Sequence, residues 1–242
     1  MTTNHSASQR PDGRERDELR PCKIWPHWTN NPEGSVLIEC GGTRVLCTAS
    51  WADRIPSWRK CMGWVTADYS MIPRATGERN AREGGTAKNS RSQEISRLIG
   101  RSLRMAVDFK AMGNNMVYID CDVLQADGGT RTASVTGGWL ALREAADWAL
   151  ERGLVEEDFI RHQISAVSVG VTEAGEVLDL DYAEDSRAFT DMNVVQTESG
   201  EFVEIQGTGE RSPFSSSQLS SLLSLASKGN KELRQKQREA GK

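Results

Sequence analysis

Apolar positions in residues 35–50 fall in two strand-like runs, SVLIEC and TRVLCTAS, on either side of Gly41-Gly42. That spacing predicts a hairpin closed by a two-residue turn. GWVTADYSM (63–71) predicts a further strand. So does MVYIDCDVL (116–124), with Val117, Ile119, Cys121 and Val123 on one face. Between them the period changes. In SQEISRLIGRSLRMAVDFKAMG (92–113), positions 95, 98, 99, 103, 106 and 107 are apolar, and Gly113 offers a C-terminal cap, so a helix is predicted. ASVTGGWLALREAADWALERG (133–153) is a mostly apolar, hence buried, helix.

The second half repeats the scheme. QISAVSVGVT-EAG-EVLDLDY (163–182) and MNVVQT-ESG-EFVEIQG (192–207) are predicted hairpins, and SSSQLSSLLSLASK (215–228) is a helix with a polar start. The order defines an α+β fold with two similar hairpin-and-helix halves in one domain, residues 11–228, joined near residue 155. Residues 1–10 are expected to be a flexible tail, and the basic 229–242 a tail or frayed helix end. PRATGERNAREGGTAKN (73–89) has no periodicity and is expected to be a long exposed loop, a length that usually carries function.

The chain has 242 residues with a formal net charge of −4, within the size of one large domain. It has neither an apolar run long enough to span a membrane nor a signal-peptide core at its start, so a cytoplasmic location is expected. The 5 cysteines are odd in number and include no C-x-x-C, which suggests neither a disulfide framework nor a zinc site. Cys40, Cys47 and Cys121 lie in apolar runs and are expected to be buried free thiols. The 3 histidines are far apart in sequence, so histidine-based hydrolysis is disfavoured. The charge is unevenly spread. From Arg74 to Arg104 there are eight Lys/Arg against three Glu, a basic stripe suited to a polyanion.

Four constellations carry candidate chemistry. QADGGTRTAS (125–134) follows a strand and opens a helix. Gly128-Gly129 would make the turn, a helix N-terminus would present N–H groups, Thr130 a hydroxyl and Arg131 a guanidinium fork, which together suit an anion. No G-K-[ST] is present, so this is not a Walker A loop. Arg91 brings a second guanidinium to the start of a helix. DLDYAEDSRAFTDMN (179–193) holds Asp179, Asp181, Glu184, Asp185 and Asp191. Carboxylates beside a phosphate repel it unless a cation such as Mg²⁺ sits between. Arg74, Arg79 and Arg82 in the 73–89 loop suit RNA phosphates. Each has a plain alternative: a strand–helix connection, a solvated arginine, an acidic loop and a charged surface loop.

RPDGRERDELRP (10–21), GWVTADYSMIPRAT (63–76), QEISRLIGRSLRMAVD (93–108), IDCDVLQADGGTRTASVTG (119–137), DLDYAEDS (179–186) and DMNVV (191–195) closely resemble the bacterial ribonuclease PH family, from about residue 10 to about residue 227. The resemblance implies a phosphorolytic 3′→5′ exoribonuclease, a tRNA nucleotidyltransferase. Such an enzyme trims tRNA precursors with inorganic phosphate, releases nucleoside diphosphates and runs in reverse as a polymerase. It implies a core like ribosomal protein S5 domain 2 and a homohexamer, a trimer of dimers. Carried over residue by residue, it places phosphate on Arg91, Gly129, Thr130 and Arg131. It places Mg²⁺ and catalysis on Asp185 and Asp191, with Arg91 and Arg131 also catalytic, and tRNA on Arg74, Arg79 and Arg82. CGGTRV stands where the family commonly has CGNTKV, and GTGERSPF where it has GTAEGEPF. The loop 51–62 carries two tryptophans that the family does not typically show. Two alternatives stay open: a non-catalytic RNA-binding subunit of an exosome-like ring, and a generic phosphate-binding module. The joint presence of Arg91, Thr130, Arg131, Asp185 and Asp191 argues against the first.

Overall fold

The computed structural model describes residues 10–59, 62–82 and 90–241. Five strands, β1 (Cys22–Pro26), β2 (Gly34–Cys40), β3 (Thr43–Ala52), β4 (Trp64–Met71) and β5 (Met116–Gln125), form one sheet in the order β1-β2-β3-β5-β4. The β2–β3 hairpin turns at Gly41, whose φ of +57° suits glycine. Helix α1 (Ser90–Arg104) makes the crossover that lets β4 and β5 pair in parallel. A second sheet, order β7-β6-β8-β9, is built from β6 (Ile164–Thr172), β7 (Gly175–Leu178), β8 (Thr190–Thr197) and β9 (Phe202–Thr208). The short helix α3 (Tyr182–Asp185) links β7 to β8.

The apolar helix α2 (Thr130–Glu151) is buried between the two sheets, against β2, β3, β5 and β6. Its weak sidedness follows from having partners all round. One core cluster joins Ile38, Cys47, Ile119, Leu142, Ile164 and Val195, so both halves contribute to it. Helix α4 (Ser216–Ala240) covers the second sheet with Leu222, Ala226 and Leu233 against Val169, Leu178 and Val194. The α+β class and its two hairpin-and-helix halves are as the sequence predicts. Cys40, Cys47 and Cys121 are buried free thiols.

Three boundaries differ from expectation. Helix α1 stops at Arg104 instead of 113. Its last turn tightens through Met105 N–H to Ser102 O and Ala106 N–H to Leu103 O, and Val107 then pairs with Ile160. The apolar residues at 106 and 107 are buried by that pairing and match the helical period only by coincidence. Gly113 closes a turn on Lys110. Secondly, residues 229–240 are neither tail nor frayed but the second half of α4. Three of their polar side chains, Asn230, Arg234 and Gln237, are buried: Gln237 Nε2 donates to the carbonyls of Thr136 and Ile164, each at 2.9 Å, and Asn230 Nδ2 to that of Val194 at 3.1 Å. Gln237→Ala is expected to destabilise the fold by about 1–3 kcal/mol, read as a lowered denaturation midpoint at unchanged slope. Thirdly, Arg10, assigned to the flexible tail, is 3% exposed. The rest of that tail, residues 1–9, lies outside the described residues, as does 83–89 of the exposed loop.

Candidate active site

The site forms where β5 ends. Gly128 and Gly129 both adopt left-handed φ, +74° and +65°, a conformation that favours glycine. A Cβ on Gly128 would lie 2.6 Å from the carbonyl oxygen of Leu180, and one on Gly129 would lie 2.9 Å from Arg20. The turn therefore packs directly on the segment that leads to α3. Thr43 holds it from below: its hydroxyl donates to Gly128 O at 2.6 Å and accepts from Asp127 N–H at 2.8 Å. Helix α2 starts at Thr130 without a side-chain cap, leaving its first N–H groups open to an anion.

Two further side chains organise this end of α2. The Tyr69 hydroxyl lies 2.9 Å from Thr130 Oγ1. Burial pushes the Tyr69 hydroxyl up from its ordinary value. It stays protonated and can donate to Thr130, which frees the Thr130 proton for a ligand. Arg131 Nη2 donates to Glu94 at 3.0 Å, and the other oxygen of Glu94 accepts from Gln206 at 2.8 Å. Burial acts to raise the Glu94 carboxyl, but the hydrogen bonds from Gln206 and Arg131 prevail and hold it below the usual range. Arg91, exposed on the first turn of α1, faces the same space.

The structure sorts the five acids of 179–193 by what already holds them. Asp179 accepts from Arg20. Asp181 caps α3 by accepting from Glu184 N–H at 2.8 Å. Glu184 accepts two hydrogen bonds of 2.7 Å from Arg10. Asp185 and Asp191 remain, and both line the cavity. Burial pushes both carboxyls up. At Asp191 the neighbouring Asp185 and Glu210 add to it, whereas at Asp185 the arginines 131 and 91 oppose it.

The cavity has a volume of about 630 Å³, and its wall includes Arg91, Thr130, Arg131, Asp185, Asp191 and Asn193. On two of these residues a buried atom lacks a partner among the described residues: Arg131 Nε, a donor, and Asp191 Oδ1, an acceptor. Such atoms are costly unless a ligand completes them. All six residues carried over for phosphate and metal thus meet at one cavity. Arg74, Arg79 and Arg82 do not. They are exposed on the loop whose Thr76, Gly77, Glu78 and Asn80 contribute to the wall. Tyr69, Glu94, Asn193 and Tyr182 were not singled out from sequence. For Tyr69 the signal was its place on the inward phase of GWVTADYSM.

Residues 18–146 match the 3′ exoribonuclease family, domain 1, and residues 162–229 its domain 2. The chain belongs to that family. It is 56% identical over 245 residues to the ribonuclease PH of Bifidobacterium longum, covering 99% of this chain and 98% of that one. It is likewise 56% identical over 234 residues to the ribonuclease PH of Corynebacterium kroppenstedtii, covering 96% and 92%. The fold is shared with a chain of the Archaeoglobus fulgidus exosome with RNA bound to the active site (TM-score 0.81, 24% identity, 95% of this chain and 92% of that one). It is also shared with rice Rrp46 (TM-score 0.78, 17% identity, 95% and 98%). The chain is a phosphorolytic 3′ exoribonuclease. The non-catalytic exosome-like alternative has less support, because likeness to the exosome chain is confined to the fold.

Proposed function

We propose that the cavity binds inorganic phosphate against the N-terminus of α2 and directs it at the last phosphodiester of a tRNA precursor. The observation that carries this reading is the pair of unpartnered buried atoms, Arg131 Nε and Asp191 Oδ1, in one cavity. The guanidinium groups of Arg131 and Arg91, the Thr130 hydroxyl and the N–H groups after Gly129 fix the phosphate oxygens. One phosphate oxygen forms a bond to the terminal phosphorus as the bond to the preceding 3′-oxygen breaks. The proton carried by hydrogen phosphate balances the new 3′-hydroxyl, and the products are a nucleoside diphosphate and an RNA shorter by one nucleotide. No side-chain nucleophile is required, so positioning and electrostatics supply the acceleration.

Asp185 and Asp191 suit Mg²⁺. They are hard oxygen donors, one with an orphaned oxygen. Among the described residues no group of three or more His, Cys, Asp or Glu could hold a metal ion, so an ion on these two carboxylates would have to draw its other ligands from water and phosphate oxygens. Bound there, Mg²⁺ would neutralise charge on the scissile phosphodiester. These two carboxylates would hold the ion, and Arg131 offsets their charge toward the phosphate.

Incubation with a 3′-extended tRNA, Mg²⁺ and radiolabelled phosphate tests the reading. Label in nucleoside diphosphates is expected, and unlabelled monophosphates would overturn it. Arg74, Arg79 and Arg82 hold the body of the tRNA. Replacing all three with Ala is expected to weaken tRNA binding and to lower its salt dependence by about two to three in log–log slope. Turnover on a short oligonucleotide should be unchanged, as filter binding and steady-state kinetics will read. A homohexamer, a trimer of dimers, is the proposed assembly, which sedimentation measures. No helix among the described residues is long and apolar enough to cross a membrane, and a cytoplasmic location is proposed.

A further inference from the structure

Among the described residues only His27 and Asp179 have positive φ without being glycine; for Asp179 the value is +56°. It lies between β7 and α3, just upstream of Asp185. Its backbone is held on both sides. The N–H donates to Ser168 O at 2.7 Å, and the carbonyl accepts from Arg10 Nη2 and Arg14 Nη1, both at 3.1 Å. Its carboxylate is buried and accepts from Arg20 three times: from the backbone N–H at 2.8 Å, Nε at 3.1 Å and Nη2 at 2.7 Å. The remaining guanidinium nitrogen, Arg20 Nη1, donates to the carbonyl of Asp127, where the glycine turn begins.

One guanidinium therefore joins the root of the carboxylate arm to the root of the phosphate turn. The two roots come from stretches that match different family domains, 18–146 and 162–229. Neither Arg20 nor Asp179 belongs to the cavity wall, so neither reaches a ligand there. A left-handed aspartate is strained, and a desolvated ion pair adds little net stability. What the pair fixes is geometry.

We propose that Asp179 and Arg20 are a positioning pair. They set the separation between the phosphate turn at Gly128-Gly129 and the carboxylates Asp185 and Asp191, so that attacking phosphate and scissile phosphodiester meet. The proposal rests on the function given above. Phosphate and RNA keep all their own ligands when the pair is weakened, so the loss falls on turnover.

Asp179→Asn tests it in the full chain, because asparagine tolerates left-handed φ and keeps the shape while losing the charge. Its kcat is expected to fall roughly 10- to 100-fold, with KM for phosphate and for tRNA within about threefold of wild type. Arg20→Gln should lose as much, and the double variant no more than either single one. If Asp179→Asn does not fold, Arg20→Lys gives the same readout: it keeps the charge but not the fork that spans Asp179 and Asp127. Wild-type kcat per folded molecule in these variants, with only a lowered Tm, would overturn the proposal and leave the pair a purely structural role. A wild type that releases no labelled diphosphate overturns the functional reading and this role with it. An active wild type alongside fully active variants overturns the positioning role alone.

Discussion

Arg131→Ala is expected to lower phosphorolysis on the order of 10²- to 10³-fold while the fold survives. Arg131 stands on the first turn of α2 with a partly exposed side chain, so truncation opens no core cavity and Tm should move little. The kinetic loss has two sources. The phosphate loses a fork whose Nε has no other partner. In addition Glu94 loses its ion pair with Arg131 at 3.0 Å and, still held by Gln206, is left as a less compensated negative charge beside the anion site. The second source makes a distinctive expectation: Glu94→Gln added to Arg131→Ala should recover part of the phosphate KM. Arg131→Lys should fall between the two, since it keeps a charge but not the bidentate geometry. Steady-state kinetics over a wide phosphate range checks all three. Wild-type rates for Arg131→Ala at both limiting and saturating phosphate would remove Arg131 from the site.

Much of this arrangement was legible in the sequence because local chemistry and tertiary role coincide. Gly128-Gly129 signals a turn, and the turn is where a strand must hand over to a buried helix. The apolar run of α2 signals burial, and it is the element that both sheets share. The failures occurred where tertiary pairing overrode local pattern. Val107 continues a helical period yet bridges to Ile160. The polar stretch after residue 228 resembles a solvated tail, yet Asn230 and Gln237 are buried because their amides satisfy carbonyls of β6, β8 and α2. The acids of 179–193 could not be ranked from spacing. Their roles depend on Arg10, Arg14 and Arg20, which lie at the other end of the chain and are brought in only by folding. Strand β1 was also missed, since five residues with no clear alternation carry little signal.

Asp191→Asn should abolish most activity and, in the metal-free protein, raise stability. Asp191 faces Asp185 and Glu210 across a partly desolvated space, with Arg131 as the opposing charge. Burial first, and then these like charges, push its carboxyl above the ordinary aspartate value. A carboxyl raised in this way binds its proton more tightly folded than unfolded. Above both pKa values the ionised group therefore destabilises the native state, and the penalty is relieved as pH falls through the raised native value. Asparagine carries no such penalty. Without divalent cation, Asp191→Asn should melt higher than wild type at neutral pH, and the gap should close on acidification. Adding Mg²⁺ should raise the wild-type Tm through binding to the native state and leave the variant nearly unmoved. Activity should drop on the order of 10²- to 10³-fold, the loss expected when a charged group is removed from a reacting phosphate site. Calorimetry with chelator and with Mg²⁺ across this pH range decides the matter. A variant that melts below wild type at neutral pH with chelator present would make Asp191 a structural residue, because stability would then depend on its charge. The expected result has the opposite sign: a carboxylate kept at a cost to the fold for the sake of a ligand.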